Sequence, residues 1–466
     1  MWGGVGEGGG GEGLQKSMDI AYKYSKKWRF LFNVGKGKTE IMVFHGKGKE
    51  KKRREEDVKG GWKLGGKCVS MVDVYKYLGV TVDSKGEFGG WKKEREEKAI
   101  KACWGAWNMG MGGQWLTVRN AVMVWKVMVQ SVLDYATEVF GGITGNWEGA
   151  EKIARKMGKL ILGVRKSTAN EVVMGELGWW SMKGRRDFLR LKYWGEIVSN
   201  RTGLRWEVYQ EGRKRVGEDQ SAWCDYTRRC LEELGLERFY DRQDEYEVIG
   251  KEWKGTVREK VQEKEQKEWL ERMKKKAKLR TYREFKKELR RASYLWVGTA
   301  TQRRVMTMIR GGSNDLRIET GRWENLLVEQ RVCIFCEEEE VEDEEHFLCK
   351  CGAWSQIRKE VLRSVRKMIK GELTDCEIMF LSKKAVRKKG VKEDWEELVL
   401  VAVEKMERSR RREWKRKIMG VSDSEERRDE MNILRLLDKL LQEVKQLRKN
   451  SSSNSNSNSS SSSSSS

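Results

Sequence analysis

Apolar residues recur along most of this chain at helical spacing. From position 14 to 28, Leu14, Met18, Ala21 and Tyr22 fall on one helix face. Three short runs then read as β: residues 29–33, 39–44 and 74–82, the last being Val-Tyr-Lys-Tyr-Leu-Gly-Val-Thr-Val. Beyond Phe88 the pattern is helical for most of the rest. Segments 92–109, 116–135 and 147–162 each carry one apolar face, and residues 200–300 are charged and helical with Trp and Tyr interleaved. A further helix over 392–406 runs into a basic stretch, Arg408 to Lys417. Ser422-x-x-Glu425 reads as a capping box. Ile433, Leu437, Leu440, Val444 and Leu447 then alternate steps of four and three, the seam of a coiled coil or of a helix packing on its own chain. The pattern predicts a mainly α chain with a small α+β piece near its beginning.

Composition narrows the function classes. A length of 466 residues suggests about two to four domains. The net charge of +24 exceeds what solubility requires and points to a polyanionic partner, RNA or DNA. No apolar run is long enough to cross a membrane, and the Gly- and Glu-rich first 13 residues do not read as a signal peptide. An intracellular, reducing setting follows, in which cysteine spacing suggests metal before disulfides. Proline is absent, where average usage of about 5% would give roughly 23. With Gly, Trp, Lys and Glu abundant and His scarce, this reads as a cytosine-poor coding strand. Helix ends must then be read from Gly, Asn and Ser. With two histidines, His45 and His346, nothing resembles a Ser/His/Asp triad, and no Gly-rich stretch has the Lys-Ser/Thr of a phosphate loop.

The most specific motif is Cys333-x2-Cys336-x9-His346-x4-Cys351. Thiolates and imidazole closing on one ion in a set of four is how Zn²⁺ is held structurally. Cys349 is a competitor for the place of Cys351, which the His-x4-Cys step favours as in a zinc-knuckle closure. The stretch between, Glu337 to Glu345, reads as a solvated acidic loop. The competing reading is scattered buried thiols. Arg280, Tyr282 and Lys286, and then Arg317, Arg322 and Trp323, pair cations with aromatics. That combination suits single-stranded RNA, because bases stack on aromatics while phosphates pair with Arg. Arg331, Lys350, Arg358 and Lys359 flank the acidic loop and would carry any phosphate contact; the competing reading of the knuckle is a purely structural staple joining two helices. The competing reading makes Tyr282 and Trp323 core residues. The run Lys47 to Arg54, like Arg408 to Lys417, is either a phosphate-binding run or a solvated face. Trp104, Trp107, Trp179 and Trp180 read as core rather than as stacking platforms.

In chain order, several tracts resemble the non-LTR (LINE-type) retrotransposon reverse transcriptases. Tyr75-Lys-Tyr-Leu-Gly-Val-Thr-Val-Asp83 is similar to the tract near the end of their palm. Leu14-Gln-Lys-Ser-Met-Asp19, with Trp28, Asn33 and Lys38-Thr39, resembles the segment after the active site. Leu133-Asp-Tyr135 with Glu138 resembles the thumb. Ile161-Leu-Gly-Val164, Ser167-Thr168, Gly175-Glu-Leu-Gly-Trp179 and Arg185-Arg186-Asp187 resemble the tract beyond it. Leu279 to Tyr282, Arg317 to Trp323, and His346-Phe-Leu with Cys351 resemble the approach to and closure of the knuckle. Arg165, Ala169 and Ser181 stand where the family favours proline.

The resemblance implies a leader (1–13), a palm remnant (14–88), a helical thumb (89–200), a charged helical connector (201–324), a zinc knuckle (325–365), C-terminal helices (366–450) and a disordered Ser/Asn tail (451–466). It also implies two palm aspartates holding Mg²⁺ some 11–13 residues before Leu14, at about Trp2-Gly3, where no carboxylate stands. Glu7 and Glu12 have no scaffold to replace them, and the family's N-terminal endonuclease is missing. The expectation is nucleic-acid binding with structural Zn²⁺ and no autonomous polymerase centre. The alternatives are a polymerase component whose palm and Mg²⁺ come in trans, or a helical interaction protein self-associating through 433–447.

Overall fold

The computed structural model describes residues 10–44, 61–85, 89–111, 116–140, 147–214, 216, 222–245, 252–382, 386–387 and 394–419. His45, the basic run 47–54, the Ser422 capping box, the 433–447 seam and the 451–466 tail lie outside them. The architecture is mainly helical, with three two-stranded sheets among the described residues. The chain divides into two compact units, Met1–Asn314 and Asp315–Ser466. The division falls ten positions before the expected start of the knuckle. The reason is local: Ile318 N donates to Glu342 O and Arg317 N to Glu342 Oε2, which ties the segment after Asp315 to the cysteine-bearing loop.

The first unit opens with α1 (Gly10–Lys27), whose Met18 is buried with Leu14 and Tyr22 against Trp62, Leu64 and Val69. Those last three belong to the hairpin β1 (Trp62–Leu64) and β2 (Lys67–Val69). The β run at 74–82 is not one strand. It folds back on itself as β3 (Val74–Tyr77) and β4 (Val80–Asp83). Its turn is Leu78-Gly79, both at positive φ (46° and 79°), as a two-residue hairpin requires. The runs at 29–33 and 39–44 form no strand beyond a single bridge from Ile41 to Met71, and Phe30, Leu31 and Phe32 are exposed.

Helices follow as the period predicts: α2 (Gly89–Ala106), α3 (Val118–Val124) continued by a π-helical stretch Trp125–Gln130, and α4 (Glu148–Leu162). Gly163 at φ 66° ends α4 in a Schellman arrangement, with Gly163 N donating to Leu160 O and Val164 N to Lys159 O. Then come α5 (Asn170–Leu177), α6 (Met182–Ser199), α7 (Trp253–Lys274) and α8 (Ala300–Arg310). In a chain without proline, hydroxyls start several of these helices. Thr117 and Ser181 accept from Asn120 N and Gly184 N, and Thr299 closes a capping box with Gln302.

Tryptophan supplies the core between α6 and α7. Trp194 is fully buried, donates from Nε1 to Tyr209 Oη at 2.9 Å, and meets Trp253 edge to face. Trp179 stacks on buried Trp125 and Trp180 meets Phe188 edge to face, in keeping with a packing role. Trp104 and Trp107 differ: both are exposed, so they are not core. The second unit contains the cysteine-bearing loop, α9 (Ser355–Met368) and α10 (Trp395–Trp414). Among the described residues no helix is long and apolar enough to cross a membrane.

Candidate metal centre

Residues 331–342 form a narrow ribbon. Val332 and Val341 bridge antiparallel, Cys333 N donates to Glu340 O, and Glu342 N donates to Arg331 O. The ribbon turns through Glu339 at φ 52°. Asp343 Oδ1 then accepts from His346 N, starting a short π-helical turn His346–Lys350. Cys351 N donates back to His346 O, which swings Cys351 toward the ribbon. The result is that Cys333, Cys336, His346 and Cys351 present ligand atoms all within 4.8 Å of one another. Cys333 Sγ lies 3.9 Å from Cys351 Sγ, and Cys336 Sγ lies 3.3 Å from His346 Nε2. A tetrahedron with ordinary Zn–S and Zn–N lengths has edges of about 3.8 Å (S···S) and about 3.6 Å (S···N). The four donors therefore have nearly the spacing of one such ion and could hold it.

The surroundings fit that use. His346 Nδ1 lies 3.1 Å from Glu340 Oε2, which fixes the ring and leaves Nε2 facing the sulfurs. The Cys351 thiol hydrogen-bonded to Cys333 holds Cys333 down at about 4, and the same bond pushes Cys351 up. Burial pushes Cys336 up to about 11. Burial works against charge on His346, but hydrogen bonds to Cys333 and Glu340 outweigh it and raise its pKa. Cys349 stands apart. It bonds to the Cys376 thiol, which pushes it up, and is not in the cluster, so the fourth donor is Cys351.

The acidic loop is not simply solvated. Glu342 and Glu344 are buried. Glu342 accepts two bonds from Arg410 of α10, at 2.6 Å from Nε and 2.8 Å from Nη2. Arg410 also covers Phe335, and Lys417 donates to Ile334 O. The basic run Arg408–Lys417 is thus largely engaged internally, with Arg408 on Glu404, Arg411 on Glu407 and Arg416 on Glu413. Sequence reasoning missed Arg410. The signal was there: Val399, Val403, Met406 and Arg410 share the apolar stripe of α10, and all four are buried.

The expected nucleic-acid contacts separate into two sets. Tyr282 is buried beside Trp269 and is a core residue. Lys286 is buried with its Nζ on Arg290 O. Arg358 is buried and clamps the carbonyls of Lys350 and Cys351, while Arg331 clamps those of Leu326 and Ile318. Arg317 pairs with Glu324 and lies over Trp414. These side chains are corrected to structural roles, because burial and internal acceptors take the groups a phosphate or base would need. Arg280 is half-buried. Arg322, Trp323 and Lys359 remain exposed, Trp323 at 76%. No protein-family model, curated protein or solved structure matches the chain.

Lys286 carries a measurable consequence. Burial is the main cause that lowers its pKa to about 8, against Glu176, which favours the charge. The unfolded chain then binds the extra proton between about pH 8 and 10.5, so stability rises with pH across that window. Lys286→Met should remove that rise and leave stability at pH 7 unchanged or increased. Urea unfolding of both proteins at pH 7 and pH 9.5 checks it; parallel curves would mean the ammonium is not desolvated.

Proposed function

We propose that this chain is a nucleic-acid-binding protein built like the C-terminal part of a LINE-type reverse transcriptase, with one structural Zn²⁺ held by Cys333, Cys336, His346 and Cys351. The observation that carries the reading is the convergence of these four donors, at the spacing the resemblance expects. The charge of +24 and the exposed Arg322-Trp323 pair support contact with a polyanion that also has aromatic faces. The proposal is for binding: by the resemblance the metal-binding aspartates would fall at about Trp2-Gly3, where no carboxylate stands.

The test is fluorescence anisotropy of a labelled single-stranded RNA across a salt series. Trp323→Ala should weaken binding by roughly 1–3 kcal/mol, the worth of one stacked base. Because the indole is exposed, stability should change by less than about 0.5 kcal/mol. Equal affinity in the two proteins would remove Trp323 from the interface.

A second reading is a polymerase component completed in trans, with Mg²⁺ in the partner's palm. It is favoured by an apolar surface on α2, α3 and the π-helical stretches that follow them, where Trp104, Trp107, Met123 and Val127 are exposed. Activity appearing only on mixing with a fingers–palm fragment would select it.

A further inference from the structure

Within the first unit an open cleft of about 690 Å³ is bordered by Arg119, Arg291, Trp296, Gly298 and Arg303, and none of its lining residues is acidic. Its volume suits a small-molecule-sized unit. Arg119 begins an outward stripe with Met123 and Lys126, all three exposed and spaced four and three apart. The Arg291 guanidinium sits over Trp296, 4.4 Å from the ring centroid, while the indole is still 45% exposed. One ring face is therefore covered by a cation and part of the indole remains open. Arg303 anchors the floor through Val297 O and Gly298 O, and its Nε is buried without an acceptor. Burial lowers the pKa of Lys126, and Arg291, Arg185 and Arg258 lower it further. Arg185 is neutralised by Asp134; no carboxylate pairs with Arg119, Lys126, Arg258 or Arg291 among the described residues. A folded surface that gathers unpaired guanidinium groups round an open aromatic face has the two complements of a nucleotide, charge for phosphate and a π-face for the base.

We propose that this cleft is a binding site for single-stranded nucleic acid, in which Arg119 and Arg291 meet backbone phosphates and a base stacks on the open face of Trp296. The site deepens the nucleic-acid-binding reading above and rests on it. It involves none of the residues that the sequence pattern singled out. A duplex would not use it in this way, because its bases are already stacked; an acidic peptide would use the cations but not the indole.

The experiment uses the full chain with labelled oligouridine, read by anisotropy over a salt series and by ultraviolet crosslinking with peptide mapping. Arg119→Ser should reduce the slope of log affinity against log salt by roughly 0.7, the value for one single-strand phosphate contact. Trp296→Ser should weaken binding roughly 5- to 150-fold, and Trp296→Phe should recover most of it. The crosslink should map to the peptide bearing Trp296. Both side chains replaced, Arg119 and Trp296, reach the surface, and unchanged thermal melts of the three variants verify that the fold survives. If the wild-type chain binds oligouridine and the variants bind it equally well, the cleft is not the site and the wider reading stands. If the wild-type chain binds no oligouridine, the wider reading falls and this site with it. Polyglutamate competing as well as oligouridine, with the same loss in Trp296→Ser, would overturn the nucleic-acid assignment.

Discussion

If the four donors hold one Zn²⁺ as proposed, Cys333→Ser should abolish zinc binding and unfold the cysteine-bearing ribbon. Purified wild-type chain should carry one zinc by elemental mass spectrometry, and the variant should carry none. The expected size follows from what else holds the segment together. Residues 331–354 bury Phe347, Leu348 and Trp354, a small apolar set for a ribbon, two turns and several buried charges. Structural zinc supplies about 10–16 kcal/mol of apparent free energy in small domains at neutral pH, comparable with or larger than the roughly 5–15 kcal/mol that a whole domain usually has. Losing one of four ligands forfeits most of that. Hydrogen exchange should therefore accelerate across 331–354 while α6 in the first unit keeps its protection.

A second effect should appear in α10. Glu342 is held by the ribbon, and when the ribbon opens Arg410 loses its bidentate partner and its aromatic cover on Phe335. Protection around Arg410 should fall with that of the ribbon. Cys349→Ser is the control: its thiol bonds to Cys376, so zinc should stay. Zinc retained in Cys333→Ser, or lost in Cys349→Ser, would mean that the four donors are wrongly assigned. Because the ligands bind metal as thiolate and neutral imidazole, affinity should also fall as pH drops below neutrality.

Part of this was legible in the sequence for definite physical reasons. Helical content showed because a 3.6-residue apolar period appears in any helix with one buried face, as in α4. The four donors showed because their spacing is short-range, set by one ribbon and one turn. What could not be read depended on partners far away in the chain. Glu342 looks solvated among the seven other acidic residues of 337–345, and only Arg410, 68 positions on, makes it a buried anchor. Tyr282 and Lys286 match a stacking motif locally, yet both sit beside Glu176, more than a hundred positions earlier. The run at 74–82 reads as one strand because Leu78 is apolar and carries no turn signal. A leucine at φ 46° is unfavourable by its own preference and is held there by the pairing of β3 with β4. Thr117 and Thr299 start helices where other chains would often place proline one position later.

The Glu176 site carries the other large effect. Glu176 of α5 is wholly buried and Arg310 of α8 nearly so; the guanidinium reaches Glu176 Oε1 from Nη2 at 3.2 Å and from Nε at 3.3 Å. Tyr294 lies under Arg310 and bonds to Thr307, and buried Tyr282 interacts with Glu176. Burial works against the carboxylate, but attraction to Arg310 and then Lys286 outweighs it, so its pKa is lowered. Such a pair is expensive to halve. Arg310→Met leaves a buried carboxylate facing only Lys286 and should cost about 3–5 kcal/mol. Glu176→Met leaves two buried cations without an anion and should cost at least as much. Replacing both by Met removes the mismatch between the two and leaves Lys286 as one buried cation, so it should recover part of the loss, and the two single costs should not add. Urea unfolding followed by circular dichroism gives the cycle. The sign with pH is fixed as well: a lowered glutamate pKa contributes stability above the ordinary carboxylate range and loses it as acid titrates the folded form. Wild type should therefore lose stability more steeply below about pH 4.5 than the double variant does. Arg310→Lys should not rescue, since a single ammonium cannot reproduce the two-nitrogen contact with Oε1 while keeping the guanidinium's place over Tyr294. A single-variant cost below about 1 kcal/mol would place the pair in water, contrary to its burial.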